Sequence, residues 1–295
     1  MDRAWLASPP VQRKLVLAVL LAAAAACWAV LLAGGEGAGG GMAMASPTMG
    51  LAVPAFLAIW VVMMVAMMLP AAAPMILTFH RIGSGKRARG DAFASTWLFV
   101  AGYLLVWAAA GIVAYVGAVL AAIVDARLAI SASASARVGG ALLIAAGLYQ
   151  LTPLKNVCLS KCRSPIGFIL TSWRDGPSGA VLMGLLHGAY CLGCCWLLFV
   201  ILFPLGIMNI AAMALITLVV FAEKALAWRR AAVYGMSAAL IAFGAVVIAT
   251  PRALPTFAAF ALEIPAGSGA AMKMPAAPPR LPVTMPGGAV APARR

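Results

Sequence analysis

The sequence predicts an all-α, polytopic membrane protein: a transmembrane bundle of about seven helices. Three observations lead there. Of 295 residues, 65% are hydrophobic and only 9% charged, a composition far from that of ordinary soluble domains. The apolar residues gather in windows long enough to cross a hydrocarbon layer of ~30 Å at ~1.5 Å per helical residue. The basic residues collect in alternate connections between those windows, which is the asymmetry that orients multi-pass chains.

The spans are expected near 15–33, 51–79, 92–124, 138–152, 179–203, 210–227 and 231–250. The first follows a basic start (Arg3, Arg13, Lys14) and runs on through Trp28-Ala-Val-Leu-Leu32, long for a signal sequence. Cleavage near Cys27 is the alternative and would leave six spans; lipid attachment at Cys27 is disfavoured by Ala24 three positions earlier. The second and third spans are long, which calls for tilt or a kink. Pro70 and Pro74 supply a kink in the second: each lacks an N–H, leaving carbonyls such as that of Ala66 without a helical partner. The fourth is short. The fifth is rich in glycine (Gly184, Gly188, Gly193), the mark of a closely approached helix. The segments around Arg81 to Arg89, Lys155 to Arg174 and Lys224 to Arg230 carry most of the remaining basic residues, whereas the outer loops bearing charge hold Arg127 and Arg137. This predicts an N-terminus in the cytoplasm and a C-terminus in the periplasm of a bacterial inner membrane. Residues 1–14 read as a cytoplasmic segment, 15–250 as the membrane domain and 251–295 as a disordered tail rich in Pro, Ala and Gly.

The net charge of +14 is spread through short connections rather than packed into a basic, aromatic-laced patch, so nucleic acid is not an expected partner. The acidic residues (Asp2, Glu36, Asp91, Asp125, Asp175, Glu223 and Glu263) fall at span ends, in loops or in the tail. A mid-membrane proton relay is therefore not expected. No phosphate-binding loop and no nucleophile or paired-carboxylate constellation is present, so the chain is not read as an ATP-driven pump or a hydrolase. His80 reads as a solvated helix-end residue, and Glu223-Lys224 as an interfacial pair or anchor.

The chemistry concentrates in the fifth span, in Leu186-His-Gly-Ala-Tyr-Cys-Leu-Gly-Cys-Cys-Trp196. At ~100° per residue, His187, Cys191, Cys194 and Cys195 share an arc of roughly 100°. One imidazole and three thiols form a ligand set for a soft or borderline ion. Such groups are costly in lipid without a partner. Cysteine as a small packing residue explains one or two of them, but not His187 with three thiols on one arc. Cys158 and Cys162 sit ahead of that span in Lys155-Asn-Val-Cys-Leu-Ser-Lys-Cys-Arg163. Their i, i+4 spacing lets both face one way, and Lys161 and Arg163 are expected to lower their thiol pKa.

A thioether stripe lies in the second span: Met63, Met64, Met67 and Met68 occupy an arc of about 140°. Thioethers suit Cu(I), although methionine is also a common gap-filler. Helical rise puts Met63 roughly 17 Å from one membrane face and His187 and Cys191 roughly 12 and 18 Å from the other, so the two sets meet near the midplane. Weaker Met pairs occur at Met42 and Met44 with Met49, and at Met272 and Met274 with Met285.

Gln150-Leu-Thr-Pro-Leu-Lys155, Cys158, Cys162-Arg163, Pro165, the His187 to Trp196 run, Gly206-Ile-Met-Asn209, Glu223-Lys224 and Met63-Met-Val-Ala-Met-Met-Leu-Pro70 together resemble a bacterial integral-membrane family labelled "predicted metal-binding", a domain of unknown function. The resemblance covers about residues 50–250 and implies a metal-binding protein of the inner membrane.

The expectation is thus a membrane protein that binds Cu(I), with Zn(II) second to it, in a carrier or delivery role between the second and fifth spans. Cys158 and Cys162 would exchange the ion at the inner mouth, with a periplasmic or cytoplasmic metallochaperone as partner. The rivals are a thiol–disulfide oxidoreductase using Cys191 and Cys194 as a C-x-x-C pair, and a structural or assembly subunit without metal.

Overall fold

The computed structural model describes residues 9–37, 48, 50–89, 94–226 and 229–256. Met42, Met44, Met49, Met272, Met274 and Met285 lie outside the described residues. The helices are α1 (Pro9–Gly37), α2 (Val53–Ala88), α3 (Thr96–Leu128), α4 (Ala132–Gln150), α5 (Pro153–Arg163), α6 (Pro165–Ser172), α7 (Gly176–Val200), α8 (Leu202–Leu205), α9 (Ile210–Ala225) and α10 (Arg229–Ala249), followed by a 3-10 turn at Pro251–Ala253. The fold is all-α. Six of the described helical segments are long and apolar enough to cross a membrane: Val11–Gly34, Val53–Arg87, Thr96–Leu128, Ala132–Gln150, Gly176–Leu205 and Arg230–Ala249. The expected sixth span is α9, at 16 residues the shortest of the seven and below the length that crosses unaided.

Local chemistry sets the ends. Ser95, Ser131, Thr152 and Asn209 each accept a hydrogen bond from a backbone N–H in the first turn of the helix that follows, satisfying donors that the helix leaves without partners. Pro153 follows Thr152 at the first position of α5, where its missing N–H costs nothing. Ala129 closes α3 in the left-handed conformation, with φ of 46°.

Small residues set the pairing. Any Cβ at Gly102 would collide with the Val181 carbonyl, and one at Gly184 with the Phe99 carbonyl; at Gly188 it would meet Val106 Cβ at 2.9 Å. Residue numbers rise together along this contact, so α3 and α7 run parallel, backbone against backbone. Gly140 faces Gly244 and Ile248, whereas Gly147 faces Ser237 and Ile241. That pair, α4 with α10, is therefore antiparallel, and the Ser237 hydroxyl donates to the Gly147 carbonyl at 2.8 Å. The long α2 packs chiefly on α1 and α3, and more lightly on α9 and α6.

α2 stays one helix through Pro70 and Pro74. The carbonyl of Ala66, which Pro70 cannot serve, does not go without a donor: the Trp28 indole N–H of α1 reaches it at 3.1 Å. α1 thus completes the hydrogen bonding that the proline interrupts. The end of α10 also departs from expectation, because residues just past 250 are packed. Leu254 is buried, and the Thr256 hydroxyl donates to the Pro204 carbonyl at 2.8 Å.

The glycine seam between α3 and α7 yields a direct test. Gly184→Val is expected to lower stability by about 1–3 kcal/mol through overpacking. Thermal unfolding in detergent should show it as a reduced Tm, while Gly117→Ala, whose added Cβ meets nothing within 4 Å, leaves Tm in place.

Candidate metal centre

α7 presents His187, Cys191, Cys194 and Cys195 on its buried side, each 2% exposed or less. The thiols point into protein, not lipid. Cys194 and Cys195 donate back to the Cys191 carbonyl at 3.0 and 2.9 Å, one and the same acceptor a turn earlier. Cys191 Sγ has partners on two other helices. It lies 3.2 Å from the Tyr103 hydroxyl of α3 and 3.0 Å from the Lys224 ammonium of α9.

A thiol from a second element joins them. Cys162 on α5 is buried and shares one continuous core cluster with Cys191 and Cys194, on a helix that packs against α7. Cys162 therefore stands beside the α7 thiols rather than apart from them at a mouth. Cys158 is half-buried one turn earlier, its Sγ 2.9 Å from where a Gly193 Cβ would be; the missing side chain at Gly193 makes room for this sulfur. The expected activation of Cys158 by Lys161 and Arg163 does not occur. Burial first, then the proximity of Cys194, push its thiol pKa up.

An ion pair absent from the sequence reading locks this arrangement. Lys155 Nζ bonds Glu223 Oε2 at 2.7 Å, with side chains 1% and 2% exposed. Arg163 Nε and Nη2 donate to the carbonyls of Lys224 and Leu226 at 3.3 and 3.4 Å. Both ends of α5 are thereby tied to the end of α9. Glu223 and Lys224 are not partners of each other, nor are they a plain helix-end anchor: Glu223 serves α5, and Lys224 serves the thiols. Nor does every carboxylate lie at a wet end, since Glu223 is enclosed by protein.

His187 sits in an aromatic enclosure. Phe99 and Tyr103 stack on it with centroids 5.9 and 5.6 Å away, and Phe168 of α6 meets it edge-on at 5.6 Å. Its Nδ1 is buried with no hydrogen-bond partner. Tyr103 thus touches both ends of the motif, its ring on the imidazole and its hydroxyl on Cys191. The other histidine, His80, is not a solvated end residue. It is half-buried, with Nδ1 3.0 Å from the Thr96 hydroxyl. At the same end of the bundle Lys86 pairs with Asp175, which with the Trp173 indole holds that carboxyl below its usual range.

Met63, Met64, Met67 and Met68 are fully buried and belong to the continuous core that also contains Cys191, Cys194 and Cys195. α7, however, packs mainly on α3 and α5, whereas α2 packs on α1 and α3. The second element brought to the thiols is α5, with α9 supplying the cation. Tyr103, Lys224 and the Lys155–Glu223 pair were missed by sequence reasoning. The available signal was charge in the wrong place: Lys155, Glu223 and Lys224 all sit at the edges of apolar runs.

Among the described residues, no three or more His, Cys, Asp or Glu side chains are already set as a metal-binding group. The donor chemistry still fits a soft monovalent cation, which is satisfied by few sulfur ligands. Cys162, Cys191, Cys194 and Cys195 lie in one buried cluster, and Cys194 and Cys195 rest on a backbone carbonyl.

A family model described as PpoB2, copper chaperone, matches residues 57–247, well over half of the chain, and the chain belongs to that family. No curated protein and no solved structure matches it.

The buried ion pair can be tested on its own. Glu223→Gln leaves Lys155 without a counter-charge and should cost about 3–5 kcal/mol, most of it recovered in Lys155→Met/Glu223→Leu. Tm measures the first effect. Faster alkylation of Cys162, followed by mass spectrometry, should accompany it, because α5 loses its hold on α9.

Proposed function

We propose that this copper chaperone family member takes up Cu(I) as cargo in the bacterial inner membrane and delivers it onward. The ion would be held by two thiolates from among Cys191, Cys194 and Cys162, with the third thiol, Cys195 and His187 as adjoining donors. The observation that carries the reading is the packing of α5, with its buried Cys162, on the thiol face of α7 beside one ammonium, Lys224.

The charge arithmetic favours this composition. Cu(I) on two thiolates carries net −1, and a bare charge is strongly disfavoured inside a helical bundle. Lys224, 3.0 Å from Cys191 Sγ, supplies the compensating +1. The Tyr103 hydroxyl, 3.2 Å from the same sulfur, can donate to the thiolate and so moderates its local negative charge. Lysine suits the task as a compact ammonium that offers no lone pair to compete for the metal while protonated.

Delivery follows from spacing. Cys158 is half-buried beside Gly193 of α7, which supports a role as a step between the inner thiols and the edge of the protein. Passage between sulfur sites of similar affinity requires no external energy, which suits a chain without a nucleotide-binding motif. The thioethers of Met63, Met64, Met67 and Met68 would stabilise the ion on a path through α2, and a periplasmic or cytoplasmic metallochaperone would exchange with it at a membrane face.

Anaerobically purified protein should carry about one copper per chain, falling to a trace in Cys191→Ser/Cys194→Ser, as read by elemental analysis beside a Tm that confirms folding. Copper retained at wild-type level by that variant would sink the assignment. Lys224→Met should keep the thiols yet weaken Cu(I) at least roughly tenfold in competition with a chromogenic chelator, the order expected for one lost counter-charge.

A further inference from the structure

On the far side of α5 from the thiols, a half-open cavity of about 620 Å³ lies between α4, α5 and α10. Its polar lining is Gln150, Asn156, Ser160, Arg163, Arg230 and Tyr234, and no described residue of the lining is a carboxylate. The wall therefore offers guanidinium, amide and hydroxyl donors and favours an anion. Arg163 is oriented by its bonds to the Lys224 and Leu226 carbonyls, and Arg230 is exposed at the rim.

A second, independent observation points to a ligand. Gln150 is 1% exposed, and neither its Nε2 nor its Oε1 has a hydrogen-bond partner. A buried amide with both ends unserved is costly. Nε2 can donate to an anion, and Oε1 requires a donor in return, so the ligand should bear both an oxyanion and a hydroxyl. On α4, α5 and the turn between them, Leu148, Leu151, Leu154 and Val157 are 44–61% exposed, and Leu151 and Val233 enter the lining itself. Polar donors at one end and a bare aliphatic flank at the other match a headgroup with its acyl chains.

We propose that this cavity is a binding site for the phosphodiester headgroup of an anionic, hydroxyl-bearing phospholipid such as phosphatidylglycerol. The phosphate sits between Arg163 and Arg230, the Gln150 amide spans phosphate and glycerol hydroxyl, and the acyl chains leave past Leu151 and Val233.

Native mass spectrometry of the full chain, delipidated and titrated with phosphatidylglycerol, phosphatidylcholine or sodium phosphate, tests this. Phosphatidylglycerol should bind in preference to phosphatidylcholine. Arg230→Gln should weaken it about fivefold, and the charge-neutral Gln150→Leu should weaken it as well, which a general attraction to basic surface does not produce. Equal retention of both lipids, or full retention in both variants, overturns the site. Inorganic phosphate binding as tightly as the lipid overturns the lipid as occupant. Elemental analysis should find copper unchanged in Arg230→Gln, so failure here stays separable from failure of the copper assignment.

Discussion

The placement of the thiol cluster depends on the buried ion pair between Lys155 and Glu223, because it is the contact that draws α5 and α9 together against α7. Charges withdrawn from water must be matched inside the protein, and at 2.7 Å with both side chains enclosed this match tolerates little movement. Two consequences follow from the one constraint. Cys162, seven residues along α5, is carried to Cys191 and Cys194; Lys224, adjacent to Glu223, is turned onto Cys191 Sγ. A pair that contributes no sulfur decides which sulfurs meet.

The second determinant is closeness of backbone. In lipid, helices gain little from excluding water between them, so association relies on contact and internal hydrogen bonding. Gly102, Gly184 and Gly188 let α3 and α7 approach until side chains on one helix touch the backbone of the other. That proximity brings Tyr103 onto both His187 and Cys191. α4 and α10 repeat the device in antiparallel sense, with Ser237 adding a bond to the Gly147 carbonyl. The cavity proposed as a lipid site opens where that second pair meets α5.

The proline-bearing helix illustrates how interrupted backbone survives in a bundle. Pro70 removes a donor within α2, and Trp28 on α1 replaces it, so the buried methionine stripe stays on an unbroken helix. The family membership gives copper as the general subject. The geometry places thiol chemistry on α5 and α7, with thioethers elsewhere in the same core.

Composition and hydropathy alone determined the membrane-helical class, and helical periodicity alone placed His187, Cys191, Cys194 and Cys195 on one buried face. These are local properties: about twenty apolar residues make a span whatever surrounds them, and 3.6 residues per turn fixes which side chains share an arc. Periodicity could not choose the partner of that face. It could not show that α5 packs against α7 with Cys162, since that packing depends on distant glycines and on the Lys155–Glu223 bond. The opposed fates of neighbouring Glu223 and Lys224 make the same point. Their charges were visible in the chain, but the direction each side chain takes depends on helices separated from them by dozens of residues, and only the tertiary structure decides it.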